Sequence, residues 1–186
     1  MTYPFKELIT DRLILAEFGK TSAETWLGLI KDKEVALTTL SLPHPCTCKD
    51  AKLWKATQID AIKSGSILRW SIIKKEGHAV MGCVKLSLNL RFNSAEIGYW
   101  VGKKYWGNGY AGEAAIKVLN YGFSELKLNR IEAYAIVVNK ASSKILLKLG
   151  MQKEGFHRQL IKRWDNYIDV ESFAILLSDW KNHNTP

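Results

Sequence analysis

The sequence predicts a mixed α/β domain, a mostly antiparallel sheet with helices packed against it. Three observations carry that expectation. Residues 68–101 hold three strand-like runs joined by short turns. Residues 111–126 repeat apolar side chains at helical spacing, at Ala115, Val118, Leu119, Gly122, Phe123 and Leu126. Strand-like and helix-like segments then alternate toward the end of the chain, the pattern of a sheet covered by helices.

Each element follows from local chemistry. Residues 12–17 read as a first strand, and Thr21 or Ser22 caps a helix that carries Trp26, Leu29 and Ile30 on one face. Pro43 and Pro45 break the chain. Residues 49–63 are helical up to Gly65. Strands at 68–73, 79–88 and 95–101 make a meander. The helix at 111–126 follows, then a strand at 130–138 rich in β-branched and aromatic residues. A short helix at 140–149 ends at Gly150, and strands at 152–163 and 169–177 flank a turn at 164–167. The reading gives seven strands and about four helices, with no linker or repeat, and so a single domain over residues 1–186.

Composition narrows the function classes. The chain is 47% hydrophobic and 24% charged, which suits a globular protein and excludes a disordered one. No apolar run is long enough to span a bilayer, and the first residues lack a signal-peptide pattern, so a cytoplasmic protein is expected. The net charge of +9 suits an anionic partner, but the basic residues are spread out, which favours a solvated surface over a nucleic-acid site. Cys46 and Cys48 lie near His44 without a second ligand cluster, so no metal site is expected there. Cys83 sits mid-strand and reads as core. The four histidines have no triad-like neighbours. Trp54, Trp70, Trp100 and Trp164 are candidates for an acceptor pocket, although aromatic residues at such spacing are usually core.

The informative stretch is Val101-Gly-Lys-Lys-Tyr-Trp-Gly-Asn-Gly-Tyr-Ala-Gly-Glu113, which joins a strand to a helix. Glycines at 107, 109 and 112 let the backbone turn tightly near a ligand. The first N–H groups of the helix and its dipole form an anion site suited to a pyrophosphate. The spacing of Gly107, Gly109 and Gly112 also fits a dinucleotide fingerprint. It follows a meander rather than opening a βαβ unit, which is the wrong context. A Walker phosphate loop is absent because no Gly-Lys-Ser/Thr follows.

At these residues the chain resembles a known family. Trp106-Gly-Asn-Gly-Tyr-Ala111 is similar to the acyl-CoA-binding signature of the GCN5-related N-acetyltransferases (GNAT). Gly109 and Ala111 match its last two fixed positions. Trp106 stands where the family usually has Gln or Arg, a form that resembles the RimJ/RimL branch of ribosomal-protein N-terminal acetyltransferases. Residues 10–15, 95–101, 139–144 and 148–151 are similar to further segments of that branch. The resemblance implies a GNAT fold, whose sheet splays between its fourth and fifth strands to admit acetyl-CoA. It also implies a homodimer.

The resemblance assigns roles residue by residue. The pyrophosphate would sit on the backbone of Trp106, Gly107, Asn108, Gly109, Tyr110, Ala111 and Gly112. The pantetheine arm would pair with Tyr99, Trp100 and Val101 like an added strand, with the Val101 N–H facing the thioester oxygen. With Trp106 in the Gln/Arg position, the usual polar side chain's task would fall to the backbone. Glu96 is the candidate base; the alternative is a carboxylate paired with a nearby Lys or Arg. Asn139 would bond the pantetheine amides, cap the following helix, or both. Ser142 would protonate the leaving thiolate, or simply start that helix well. Lys144, with Lys148 one turn on, would reach a CoA phosphate or stay solvated.

The expected reaction is direct acetyl transfer to a primary amine, preferably the α-amine of a protein N-terminus of the ribosomal-protein-alanine type. A small amine is the alternative acceptor. A non-catalytic CoA-binding module and a nucleic-acid-binding protein are rivals from other classes. No acidic cluster is visible, which disfavours polycationic acceptors.

Overall fold

The computed structural model describes residues 5–184, and the side chains of residues 183 and 184 lie outside that description. The segment read for a signal pattern therefore falls partly, and the His183 side chain wholly, outside the described residues.

Among the described residues, eight strands make one sheet. They are β1 (Leu8–Ile9), β2 (Leu13–Glu17), β3 (Ile67–Lys74), β4 (Val80–Asn89), β5 (Ser94–Val101), β6 (Arg130–Ile136), β7 (Gln152–Arg163) and β8 (Asn166–Leu176). The spatial order is β1-β2-β3-β4-β5-β6-β8-β7. Every pairing is antiparallel except β5 with β6. The mixed α/β architecture expected from the sequence, a mostly antiparallel sheet with helices packed on it, is the architecture observed.

Among the described residues, six α-helices accompany the sheet: α1 (Ala23–Ile30), α2 (Lys33–Leu37), α3 (Cys48–Lys63), α4 (Tyr110–Ser124), α5 (Lys140–Lys148) and α6 (Leu177–Asn184). Ser22 is the residue that caps α1, accepting from the Thr25 N–H, while Thr21 pairs with buried Ser71. Thr47 and Asp50 form a reciprocal capping box at the start of α3.

The counts exceed the expectation of seven strands and about four helices. The extra strand, β1, has two residues, too few to show a period. The extra helices, α2 and α6, have 5 and 8 residues, and α6 starts where a strand was read to end. The strand expected to start at 169 begins at Asn166, because the hairpin turn takes only two residues, Trp164 and Asp165.

Apolar side chains fill both faces of the sheet. One cluster joins Leu13, Trp70, Ile72, Leu86 and Ile97 to Ala115, Val118 and Leu119 of α4. The other joins Phe18, Trp26, Ile30 and Trp54 to Cys83, with Phe18 stacked on Trp26 at 4.8 Å. Cys83 is thus core, as read. Trp70 is core too, its indole donating to the Lys6 carbonyl at 2.8 Å. Among the described residues, no helix is long and apolar enough to cross a membrane, and no group of three or more metal-ligating side chains forms.

Candidate active site

The site begins where the one parallel pair fails. β5 and β6 are in register at Ser94–Arg130, Ala95–Ile131 and Glu96–Glu132 only. Beyond Glu96, β5 stays paired with β4 as far as Val101. The expected splay between the fourth and fifth read strands is therefore present, between β5 and β6.

A cavity of ≈ 300 Å³ occupies that gap. Its wall includes Glu96, Tyr99, Trp100 and Val101 from β5. It also includes Trp106, Gly107, Gly109, Tyr110 and Ala111 from the glycine segment, and Asn139 and Ser142 at the start of α5. Of the residues assigned to the cofactor, Asn108, Gly112, Lys144 and Lys148 do not line it, and neither do Trp70 and Trp164 among the acceptor-pocket candidates. Asn108 turns its side chain back onto the Trp106 carbonyl at 2.9 Å, Gly112 faces Ile145 of α5, and Lys144 is exposed.

The glycine segment takes its shape from backbone chemistry. Gly107 and Gly109 both have φ of 78°, in the left-handed region that side chains disfavour. Gly109 is the N-cap of α4, and it has no side chain to satisfy the first N–H groups of the helix. Those donors, with the helix dipole, suit a phosphate group.

Trp106 does more than the sequence reading allowed. Its indole N–H donates to the Val101 carbonyl at 2.8 Å, so a side chain, not the backbone alone, closes the end of β5. The Gly102 N–H donates to the Met81 carbonyl at 2.8 Å, toward β4. Directions alternate along a strand, so the Val101 N–H points away from β4 into the gap.

On the sheet face that carries α3, Glu96 meets Lys85 at 3.1 Å, and Lys85 also donates to Ser87. The ion-pair alternative for Glu96 is thus observed, and it holds the carboxylate in the cavity wall. Sequence reasoning missed Lys85 because only the β4–β5 register puts Ser87 opposite Glu96 and Lys85 opposite Gly98. A Cβ at Gly98 would stand 2.8 Å from Lys85 Cε, so the glycine gives that lysine its path. The absence of clustered carboxylates needs correcting as well. Glu96 and Glu132 are neighbours across β5 and β6, and Arg130 binds both Glu132 and Glu154. Each has a basic partner, so no bare acidic pocket results.

On the other face, the Tyr99 hydroxyl lies 3.3 Å from Ser142 Oγ. Burial pushes the Tyr99 phenol up to about 12, so it stays protonated. Asn139 Oδ1 accepts from the Ser142 N–H at 3.1 Å, which is the cap expected of it. Its Nδ2 donates to the Thr38 carbonyl at 3.1 Å. Residues 38–42 line the cavity, a segment the sequence did not mark. Arg163 donates to the Leu37 carbonyl at 2.7 Å, and the Trp164 indole to the Leu42 carbonyl at 3.4 Å, so the β7–β8 hairpin holds this segment too. Trp54 and Trp100 reach the cavity wall from the aromatic cluster.

Cys46 and Cys48 are free thiols at the start of α3, away from the cavity wall. Among the described residues, no histidine lines it.

The chain that carries this open β5–β6 gap and uncapped helix start is similar to proteins of a known family. The Acetyltransferase (GNAT) domain family matches residues 12–152. An uncharacterized N-acetyltransferase, p20 of Bacillus licheniformis, is 34% identical over 93% of this chain and 97% of its own. The [Ribosomal protein uS5]-alanine N-acetyltransferase of Escherichia coli is 27% identical over 63% of this chain and 62% of its own. Among solved structures, a GNAT-family acetyltransferase from Bacillus anthracis superposes with a TM-score of 0.78 at 24% identity, covering 93% of this chain and 99% of its own. The Microcin C7 self immunity acetyltransferase MccE, in complex with acetyl-CoA and AMP, gives 0.77 at 21% identity, covering 90% and 93%. The chain belongs to the GNAT acetyltransferase family. It is an acyl-CoA-dependent N-acetyltransferase.

Proposed function

We propose that this enzyme binds acetyl-CoA in the β5–β6 gap and transfers the acetyl group directly to the α-amine of a protein N-terminus. One observation carries the reading: the gap, the uncapped start of α4, Glu96 and Ser142 all border one cavity.

The roles follow from position. The N–H groups opening α4 hold the pyrophosphate. The Val101 N–H faces the thioester oxygen and stabilises the charge that develops there. Glu96 takes the proton from the attacking amine, directly or through one water, as the C–N bond forms. An α-amine has a reference pKa near ~8, so a modest base suffices. The C–S bond then breaks, and Ser142, backed by the Tyr99 hydroxyl, gives a proton to the leaving thiolate and regains one from solvent, which also takes up the proton held by Glu96. The relative that acts on uS5 alanine supports a protein N-terminus as acceptor.

The test is thiol release from acetyl-CoA across N-terminal peptides and small amines. Peptide acetylation is expected. Release with small amines alone would overturn the acceptor, and release with none would overturn the transfer reaction.

A further inference from the structure

Among the described residues, three charged side chains line the cavity: Arg69, Lys85 and Glu96. Lys85 and Glu96 neutralise each other at 3.1 Å. Arg69 has no such partner. Its Nη2 donates to Gln58 Oε1 at 2.7 Å and its Nη1 to Cys83 Sγ at 3.3 Å. Its Nε is buried and unpartnered. Among the described residues, no carboxylate lies within ion-pair distance of it.

The neutral partners do not balance the charge. Burial pushes the Cys83 thiol up, against the smaller pull of Arg69, so no thiolate forms there. Arg69 also packs over the Phe18 ring at 5.4 Å. A guanidinium has five N–H donors, and two are used here, leaving one on each terminal nitrogen for an anion. A partly buried charge without a counter-ion is unfavourable, and an anionic ligand group removes that penalty.

The sheet sets where that anion lies. Arg69 is opposite Lys85 on β4, and Lys85 is opposite Gly98 on β5, two residues from Glu96 on the same face. Strand spacing and rise put the Arg69 and Glu96 Cα atoms roughly 12 Å apart. Arg69 lies on the α3 face, whereas the start of α4 packs on the opposite face, so the anion comes from the acceptor and not from the cofactor's phosphates.

We infer that Arg69 determines acceptor specificity by binding a carboxylate carried by the acceptor, while the reacting amine sits at Glu96. This rests on the acetyl-transfer reading above. The separation favours an acidic side chain close behind a peptide's α-amine. The carboxylate of a free amino acid has the same chemistry at shorter reach.

The experiment uses the full chain with acetyl-CoA and follows thiol release. Acceptors are matched pairs: N-terminal peptides with Asp or Asn, and Glu or Gln, at the second position, and free amino acids beside their amides. In the wild type, kcat/KM for acid over amide is expected to be about tenfold or more, in the peptide pairs rather than the amino-acid pairs. Arg69→Gln brings that ratio near one, and Arg69→Lys keeps part of it. General damage to the fold lowers both members of a pair and leaves their ratio alone, so the ratio reports on Arg69 itself. If Arg69→Gln does not fold, the wild-type ratio and Arg69→Lys decide the matter. A wild-type ratio near one, or a ratio that survives in Arg69→Gln, overturns the inference while leaving acetyl transfer standing. A preference confined to the amino-acid pairs keeps Arg69's role and moves the carboxylate to a small acceptor. No thiol release with any amine overturns both readings.

Discussion

Arg12 and Glu113 lie 101 residues apart in the chain and lock together, Nε to Oε2 at 2.7 Å and the Arg12 N–H to Oε1 at 3.0 Å. Thr10 donates to the same carboxylate at 2.5 Å. Arg12 also donates to the Asn108 carbonyl at 3.1 Å and stacks over Tyr110 at 4.7 Å. One side chain from the rim of β2 thus braces both halves of the glycine segment.

This bracing predicts a cofactor defect. Arg12→Ala should raise the KM for acetyl-CoA about tenfold while lowering kcat less, because the loop's N–H groups lose their preset aim. Initial rates against acetyl-CoA concentration check it; an unchanged KM would remove Arg12 from the site. Glu113 adds a pH dependence. Burial acts to raise its pKa, but the hydrogen bonds from Thr10 and Arg12, with the Arg12 charge, outweigh it and hold the carboxyl low. A depressed carboxylate adds stability above its unfolded pKa, near ~4.3, and that stability fades as pH falls toward the folded value. Denaturant titrations at about pH 7 and about pH 3 should therefore show a smaller acid loss in Glu113→Gln than in the wild type.

Gly107 isolates backbone strain from packing. Nothing lies within 4 Å of a Cβ built there, yet φ is 78°. Gly107→Ala should cost about 1–2 kcal/mol from conformation alone. Because the loop then favours another shape, acetyl-CoA binding should weaken more than acceptor binding. Calorimetry with CoA measures this, and an affinity equal to wild type would show that the left-handed turn is not required.

Tyr99 and Ser142 share one hydroxyl contact across the gap. Ser142→Ala should lower kcat by about 10- to 100-fold, the low end for a proton donor, since a thiolate is a good leaving group. Tyr99→Phe should cost less, since it removes only support. The Tyr99 phenol, raised by burial to about 12, contributes stability that is present below its unfolded value and is lost as pH rises toward the folded one. Alkaline unfolding should therefore be less steep in Tyr99→Phe.

Glu96 and Lys85 act as a pair, and their substitutions should separate chemistry from folding. Glu96→Gln keeps the shape and removes the base, so kcat should fall about 100-fold or more with the KM for acetyl-CoA unchanged. Turnover at the wild-type level would eliminate Glu96 as base. Lys85→Met frees the carboxylate from its tether and should disturb the acceptor KM.

The elements that were legible in the sequence are those with long periods or marked ends. Residues 111–126 repeat over four turns, and α4 occupies Tyr110–Ser124. Residues 152–163 match β7 residue for residue. Short pieces such as β1 and α2 carry no period to read. At the site, the glycine segment was legible because its chemistry is local, in the turns at Gly107 and Gly109. Lys85 and Arg69 were not, because their meaning lies in strand register. Residues 38–42 were missed for a related reason. Their place is set by donors from Asn139, Arg163 and Trp164, all about a hundred residues away or more.

Asn139 allows its two bonds to be tested apart. Its Oδ1 caps α5 through the Ser142 N–H, and its Nδ2 holds the Thr38 carbonyl. Asn139→Asp keeps an acceptor for the cap, and adds a favourable charge at a helix start, but loses the donor to Thr38. Asn139→Ala loses both, and should cost about 1 kcal/mol for the cap alone. If the Thr38 tether shapes the acceptor side, both variants should raise the acceptor KM by a similar factor, while only Asn139→Ala loses clear thermal stability. If instead Asn139→Asp binds acceptor as the wild type does, residues 38–42 are held well enough by Arg163 and Trp164, and Asn139 serves the helix alone.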